Sequence, residues 1–203
     1  MSLFWWTGER PRANGGPDSI DEGRFHWRLL MIIEQSTARF AAAVYSSDTL
    51  DRMALFKFAE KQKASKIRIG GILQTAIFDA EGNIAGLDAI DIATNERLPI
   101  SRPRSNGTIC GLDTSVLTAT SSIISNAIDN QLDLVVIEKF GALEQKGMGL
   151  VDDILLTIAE GIPLVISMSQ TALPIWQELS GGLGDVLSFE ETVFEQWWKN
   201  IQG

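Results

Sequence analysis

The chain has 203 residues, of which 45% are hydrophobic, and a formal net charge of −9. Its length and apolar content suit one α/β domain of ordinary size. The acidic balance argues against a nucleic-acid backbone or an anionic membrane surface as a partner, and no apolar run reaches the roughly 20 residues of a membrane span. A single cysteine, Cys110, excludes an internal disulfide. Because no secretory leader pattern opens the sequence either, we expect a cytoplasmic protein.

Residues 1–36 are predicted to form an N-terminal extension. Its segment TGERPRANGGPDS has neither helical nor strand periodicity, and only residues 20–36 have a pattern compatible with a helix. The extension carries Trp5, Trp6 and Trp27, although exposed aromatic rings are rare in disordered linkers. We therefore expect these rings to pack on the domain or against a neighbouring subunit, which makes a homo-oligomer through the tryptophan-rich termini one expectation.

Residues 37–203 are predicted to form a single α/β domain. Apolar runs bounded by turn signals predict strands, and apolar residues at helical spacing predict helices. Their alternation implies a three-layer, mostly parallel sheet with helices on both faces. The predicted strands span residues 39–45, 67–74, 134–138, 162–168 and 185–188, and the predicted helices span residues 50–63, 113–130, 150–160, 173–179 and 190–201.

The pattern changes between residues 77 and 100. FDAEGNIAG is rich in turn residues, LDAIDIA alternates as a strand does, and NERLPIS returns as its partner. We predict a small antiparallel excursion at the sheet edge rather than another strand, helix and strand unit.

The strand DLVVIE and the charged turn that follows it, KFGALEQKGMG, predict the principal site. A short unbroken apolar run is typical of a central strand covered on both faces, and ligands of open α/β sheets bind beyond the carboxyl ends of such strands. Glu138, Lys139 and Glu144 therefore lie where a ligand is expected. An acid at Glu138 suits a magnesium ligand, and the alternative is a solvated or ion-paired side chain. Lys139, which is protonated at neutral pH, suits anion binding.

A second candidate is the turn SSDTLD, which follows the first strand where a phosphate-binding loop would lie. Such a loop needs G-x-x-x-x-G-K-[ST], so that backbone N–H groups and a lysine surround the phosphates. Between Val44 and Phe56 there is neither glycine nor lysine. Ser47 or Asp48 is therefore expected to cap the next helix, and the alternative is a cation or a hydroxyl-rich ligand bound by Ser46, Ser47 and Asp48.

The third candidate is the loop RPRSNGTICGL, from residue 102 to residue 112. Arg102 and Arg104 are suited to clamping an oxyanion, and the glycines that follow offer backbone N–H groups just before a helix. Cys110 is either a reactive thiol near the helix start or a small buried hydrophobe. His26 is the only histidine and lies in the extension, which leaves a catalytic triad or a histidine metal site without support.

The run DLVVIEKFGALEQKGMGLVDDI, followed by EGIPLVISMS, LPIW and GGLGDVLS, resembles a bacterial family of unknown function. Its members are often described as nucleoside-triphosphatase-like or molybdenum-transporter ATP-binding-like proteins. The resemblance extends back through ERLPIS and CGLD to AAVYSSD and covers about residues 40–188. The family in turn resembles small P-loop nucleoside triphosphatases, whose equivalent strand runs into a D-E-x-G-K-x-E motif. Here Glu138 and Lys139 stand at the two acids, Gly141 at the glycine and Glu144 at the later acid.

The resemblance implies a nucleotide-hydrolase fold with a remodelled site. The Walker A lysine is missing and Lys139 replaces the second acid, and phosphoryl transfer depends on both groups. We therefore expect a protein that binds a nucleotide or an oxyanion such as molybdate, with a regulatory role, rather than an efficient triphosphatase. The alternatives are a hydrolase of nucleotides or phosphate esters with a metal on Glu138 and Asp48, and a non-catalytic interaction module. Magnesium or a nucleotide is the implied cofactor.

Overall fold

The computed structural model describes residues 38–101 and 114–203. Predictions for the N-terminal extension and for Arg102, Arg104 and Cys110 lie outside the described residues. The strands are β1 (Phe40–Tyr45), β2 (Ile69–Phe78), β3 (Ile84–Asp91), β4 (Arg97–Ser101), β5 (Leu134–Glu138), β6 (Leu164–Ser169) and β7 (Asp185–Ser188). The helices are α1 (Ala54–Ala64), α2 (Thr114–Asp129), α3 (Val151–Ala159), α4 (Leu173–Leu179) and α5 (Glu191–Gln202), with a 3-10 turn at Glu144–Lys146.

The strands form one sheet in the order β4-β3-β2-β5-β6-β1-β7. β1 pairs in parallel with β6 and β7, and β5 pairs in parallel with β2 and β6. β3 is antiparallel to both β2 and β4. This mostly parallel sheet with an antiparallel edge confirms the predicted fold class, and it is consistent with a P-loop-like architecture.

Helices cover both faces of the sheet. α2, α3 and α4 bury Ile124, Ile154 and Trp176 on one face, whereas α1 and α5 bury Phe58 and Phe194 on the other. The connection that leaves β1 therefore runs along one face, and those that leave β5 and β6 run along the other. β1 and β6 are neighbours whose chains depart to opposite faces, which is the arrangement that opens a crevice beyond the carboxyl ends of the strands.

The start of α1 differs from the prediction. The helix begins at Ala54, and the backbone N–H of Met53 donates to Asp51 Oδ1 at 2.9 Å. Caps by Ser47 or Asp48 are therefore wrong, because the turn continues for several residues beyond them before helical geometry begins. Leu50 lies in that turn and is 100% exposed, so it does not contribute to the apolar face of the helix.

β2 is also longer than predicted, because it continues through a hairpin with β3. The two strands stay paired from Ile72 to Phe78, whereas the sequence pattern ended the strand at residue 74. The aromatic stripe of α5, with Phe194, Trp197 and Trp198, is buried in the core. No helix in residues 38–101 and 114–203 is long and apolar enough to cross a membrane.

Candidate functional site

A cleft of about 290 Å³ lies at the carboxyl edge of the sheet and is lined by residues of β1, β2, β3 and β5 and of the loops that follow β1, β5 and β7. The connections that leave β1 and β6 run to opposite faces of the sheet, and β5 lies next to β6. This edge is therefore where an α/β sheet of this kind binds a ligand. Its polar and aromatic walls are formed by Tyr45, Arg52, Gln74, Glu138, Lys139 and Phe189.

Glu138 is the one acidic side chain among the described residues that line the cleft. It ends β5 next to Ser167 of β6, and its Oε2 accepts a hydrogen bond from the backbone N–H of Gln74 at 3.1 Å. Burial raises the pKa of the Glu138 carboxyl above its usual range, and the Gln74 N–H group and the charge of Lys139 only partly oppose that effect. Glu138 therefore retains a proton to higher pH than an exposed glutamate does.

Tyr45 and Arg52 also line the cleft. The Arg52 guanidinium lies 5.0 Å from the centre of the Tyr45 ring, and its Nη2 donates to the carbonyl oxygen of Ser46 at 2.5 Å. The ring of Phe189 meets Tyr45 edge-on at 5.7 Å. Burial, followed by the charge of Glu138, raises the pKa of the Tyr45 hydroxyl, whereas Arg52 lowers it. The guanidinium is thus oriented by two contacts before any ligand arrives.

Ser46, Ser47 and Asp48 lie in the turn after β1, and their polar groups bond mainly to one another. The backbone N–H of Asp48 donates to Ser46 Oγ at 3.2 Å, and Ser47 Oγ donates to Asp48 Oδ1 at 3.2 Å. The backbone N–H of Ser46 donates to Thr49 Oγ1 at 2.9 Å. None of the three predicted residues is in the described wall of the cleft, and ligand contact by them stays a prediction.

Glu144 closes the loop that follows β5. Its Oε2 accepts from the backbone N–H of Gly141 at 2.8 Å, and its Oε1 accepts from the backbone N–H of Leu150 at 3.1 Å, where α3 begins. A Cβ atom at Gly149 would lie 2.1 Å from Glu144 Oε1. Both carboxylate oxygens therefore support the loop that carries Lys139, and direct contact of Glu144 with a ligand stays a prediction.

We predict that Glu144→Gln destabilises the protein by about 1–2 kcal/mol, because the amide nitrogen cannot accept either backbone hydrogen bond. One N–H donor in the loop would lose its partner and the other would lose a charge-assisted bond. Urea unfolding at neutral pH measures this loss. Gln145→Ala in the same turn is the control, and an equal loss in both variants would contradict the assigned role.

Glu138→Gln is expected to stabilise the protein at neutral pH, whereas Glu144→Gln destabilises it. Glu138 binds its proton more tightly in the folded chain than in the unfolded one, so the free energy of unfolding falls as pH rises from the usual glutamate pKa, about 4.3, through the raised value. The amide can still accept from Gln74 but carries no charge. We expect the variant to be about 1 kcal/mol more stable than wild type at pH values above that window, and equally stable below it.

Melting temperatures measured from about pH 4 to about pH 8 check this sign. A variant that is less stable than wild type at neutral pH would contradict it.

The described residues contain no cluster of three or more Asp, Glu, His or Cys side chains that could hold a metal ion. Ser167, one strand away from Glu138, is fully buried, and its hydroxyl has no hydrogen-bond partner. The neighbour of Glu138 on β6 is therefore a neutral hydroxyl and not a second carboxylate.

A larger groove, of about 460 Å³, lies at the opposite edge of the sheet, near Arg39 and Glu160. Both side chains are exposed, and the groove faces the amino ends of the parallel strands. Sheets of this class bind ligands at the carboxyl ends, so the smaller cleft is the better candidate.

Glu138 and Lys139 both line the cleft, and their contact with a ligand stays a prediction. The cleft also includes residues that the sequence analysis did not single out. Tyr45, Arg52, Gln74 and Phe189 come from separate elements. Tyr45 had a usable signal, because it ends an apolar strand just as Glu138 does. The backbone N–H of Gln74 had none, since its role depends on the register between β2 and β5.

The fold and the cleft define an α/β protein with a mostly parallel sheet and a charged cleft at the carboxyl edge. Residues 40–197 match the model of the family described as "Protein of unknown function (DUF2478)", and the chain belongs to this family. This confirms the resemblance seen in the sequence.

The chain is also similar to a curated protein of Bradyrhizobium diazoefficiens named "Molybdenum import ATP-binding protein ModC 2". The two are 37% identical over 164 residues, which is 80% of this chain and 18% of that protein. The chain therefore spans less than a fifth of the length of this relative. No solved structure matches the chain.

Proposed function

We propose that this chain binds a small anionic ligand, a nucleotide or an inorganic oxyanion, in the carboxyl-edge cleft and does not hydrolyse it efficiently. The observation that carries the proposal is the meeting of Lys139 and Arg52 beside Glu138 in one cleft. Ammonium and guanidinium groups suit phosphate-like oxygens.

The remaining chemistry favours binding over phosphoryl transfer. In P-loop nucleoside triphosphatases, efficient transfer depends on a loop whose backbone and lysine surround the phosphates, and there is neither glycine nor lysine between Val44 and Phe56. The polar groups of that turn are occupied by one another and by Arg52. Contacts of Ser46, Ser47 and Asp48 with the ligand remain part of the proposal.

The size of the cleft limits the ligand. About 290 Å³ lies near the lower end of the roughly 300–1,000 Å³ usual for small-molecule sites. An inorganic oxyanion or one part of a nucleotide fits this volume. The predicted clamp of Arg102 and Arg104 would add further cationic contacts to the same ligand.

The relative from Bradyrhizobium diazoefficiens guides the choice of probes. Its name mentions molybdenum import and ATP binding, which supports ATP and molybdate as first candidates. Because the match covers 18% of that protein, a regulatory role in molybdenum import and a cytoplasmic location belong to the proposal only.

Calorimetric titration and melting temperatures with ATP, phosphate and molybdate test the proposal. We expect at least one ligand to bind wild type, and Lys139→Gln to weaken that binding by about tenfold, since a lost charge-assisted hydrogen bond costs about 1.4 kcal/mol. Lys199 is exposed on α5 and lies outside the described wall of the cleft, so Lys199→Gln is the matched control and should bind like wild type.

No binding by any of the three ligands, or equal weakening in both variants, would overturn the proposed site. Magnesium-dependent release of phosphate from ATP at an enzymatic rate would overturn the claim that the ligand is held without efficient hydrolysis.

A further inference from the structure

We propose that the cleft takes its anion without a divalent cation, so that magnesium does not strengthen the binding of a phosphate-containing ligand. This inference rests on the proposed function, because it concerns the same cleft and adds the form in which the ligand is recognised.

The first support is the balance of charge. One acid, Glu138, and two bases, Arg52 and Lys139, line the cleft among the described residues. The sum of these charges is positive whether Glu138 is ionised or protonated. Such a cleft attracts a polyanion and repels a free dication.

The second support is the poor set of oxygen ligands near Glu138. Its Oε2 already accepts from the backbone N–H of Gln74 at 3.1 Å, and its neighbour on β6 is the buried hydroxyl of Ser167. Magnesium demands near-octahedral oxygen ligands and is usually held by carboxylates together with substrate phosphates. The Glu138 carboxylate already accepts one hydrogen bond and is followed by the cationic Lys139, so by itself it would bind magnesium weakly.

The acids of the turn after β1 do not supply the missing ligand. Asp51 Oδ1 accepts from the backbone N–H of Met53, and Asp51 Oδ2 pairs with Lys57 Nζ at 2.7 Å. Asp48 Oδ1 accepts from the Ser47 hydroxyl, and Asp48 is not in the described wall of the cleft.

The third support is that two side chains can perform the usual task of the metal, which is to neutralise neighbouring phosphate oxygens. The Arg52 guanidinium is oriented by the Tyr45 ring and by the carbonyl oxygen of Ser46. That carbonyl bond occupies one of its five N–H donors, which leaves donors for an oxyanion. The Lys139 side chain is exposed beside the cleft and can close on the same ligand.

Pyrophosphate is the probe for the test, because it binds magnesium strongly in solution. Calorimetric titrations of wild type are compared in EDTA and in excess magnesium at equal ionic strength. We expect the affinity for pyrophosphate in magnesium to be either equal to that in EDTA or weaker. The weakening reaches about tenfold or more where the metal competes for the same phosphate oxygens. Tighter binding in magnesium, or binding in magnesium only, would overturn this inference and leave the anion site standing.

The absence of binding in both buffers, by pyrophosphate and by the three ligands named above, would instead overturn the proposed function and this inference with it. The two failures are therefore distinguishable.

Lys139→Glu is the sharper variant, because it places a second carboxylate beside Glu138. We expect it to lose metal-free pyrophosphate binding by about a hundredfold, for a change of two charge units, and to bind Mn²⁺ in an electron paramagnetic resonance titration. Lys146 is exposed in the same loop and lies outside the described wall of the cleft, so Lys146→Glu makes the same charge change and should behave like wild type.

Mn²⁺ bound by wild type without pyrophosphate at a site removed by Glu138→Gln would overturn the inference, as would full metal-free binding in Lys139→Glu. If circular dichroism shows that Lys139→Glu is unfolded, the comparison of pyrophosphate binding by wild type in EDTA and in magnesium tests the inference alone.

Discussion

Gly71→Ala is expected to destabilise the chain by at least about 4 kcal/mol, which is a large part of the 5–15 kcal/mol typical of a domain. Gly71 is the third residue of β2 and has φ +113°, and a Cβ atom there would lie 2.0 Å from the carbonyl oxygen of Val136 on β5. That oxygen belongs to the backbone of the neighbouring strand and cannot move aside as the end of a side chain can. The two strands would have to separate at the centre of the sheet.

The matched control is Gly82→Ala. Gly82 also has a positive φ, of +84°, but a Cβ atom there would meet nothing within 4 Å. Its loss should be limited to backbone strain, on the order of 1 kcal/mol. Urea unfolding of the two variants separates the steric clash from the strain, and equal losses would contradict the assigned role of Gly71.

The steric clash in Gly71→Ala is also expected to affect the cleft. Gly71 pairs with Val136, two residues before Glu138 on β5, and the same pair of strands aligns the Gln74 N–H group with the Glu138 carboxylate at 3.1 Å. We infer that the close approach allowed by Gly71 sets the position of the candidate site as well as the stability of the sheet.

Some elements could be predicted to the residue because their signals are local. β5 is a run of apolar residues that ends in a charge, and α4 has a proline near its start and two glycines beyond its end. The structure places β5, α4 and β7 at the predicted bounds. β2 was extended by pairing with β3, which is a tertiary effect that its own residues do not encode.

The position of the candidate cleft could be predicted to a similar extent, whereas its role in binding stays a prediction. Glu138 and Lys139 follow directly from the end of an apolar strand, because the carboxyl ends of parallel strands meet at one edge. Tyr45 and Glu138 come together because only β6 separates β1 from β5, although 92 positions separate the two residues in the sequence. The order of the strands depends on which helix covers which face of the sheet. The hydrophobic periodicity of a single segment does not predict that order.

Trp176→Ala is the second large effect that we expect, with a loss of about 3–5 kcal/mol in the free energy of unfolding. Trp176 is 1% exposed, and its ring packs edge-on against Phe40 at 6.0 Å and against Phe140 at 5.5 Å. Alanine would leave a cavity between β1, the loop after β5, and α4, with two aromatic rings lacking their partner.

The contact with Phe140 predicts a further, functional consequence. Phe140 directly follows Lys139, and its backbone N–H donates to the carbonyl oxygen of Ser167 at 2.8 Å. Loss of the Trp176 ring should loosen Phe140 and, with it, the placement of Lys139 at the cleft. We therefore expect Trp176→Ala to weaken any anion bound there, under conditions in which the variant remains folded.

Trp198→Ala separates the two consequences. Trp198 is also buried, at 5% exposure, but it lies on α5 near the amino edge of the sheet. Its replacement should cost a similar amount of stability, measured by urea unfolding, and leave pyrophosphate binding unchanged. Equal loss of binding in both variants would mean that general loosening of the fold, and not the support of Lys139 through Phe140, accounts for the effect. Unchanged binding in Trp176→Ala would remove the proposed link between the aromatic cluster and the cleft.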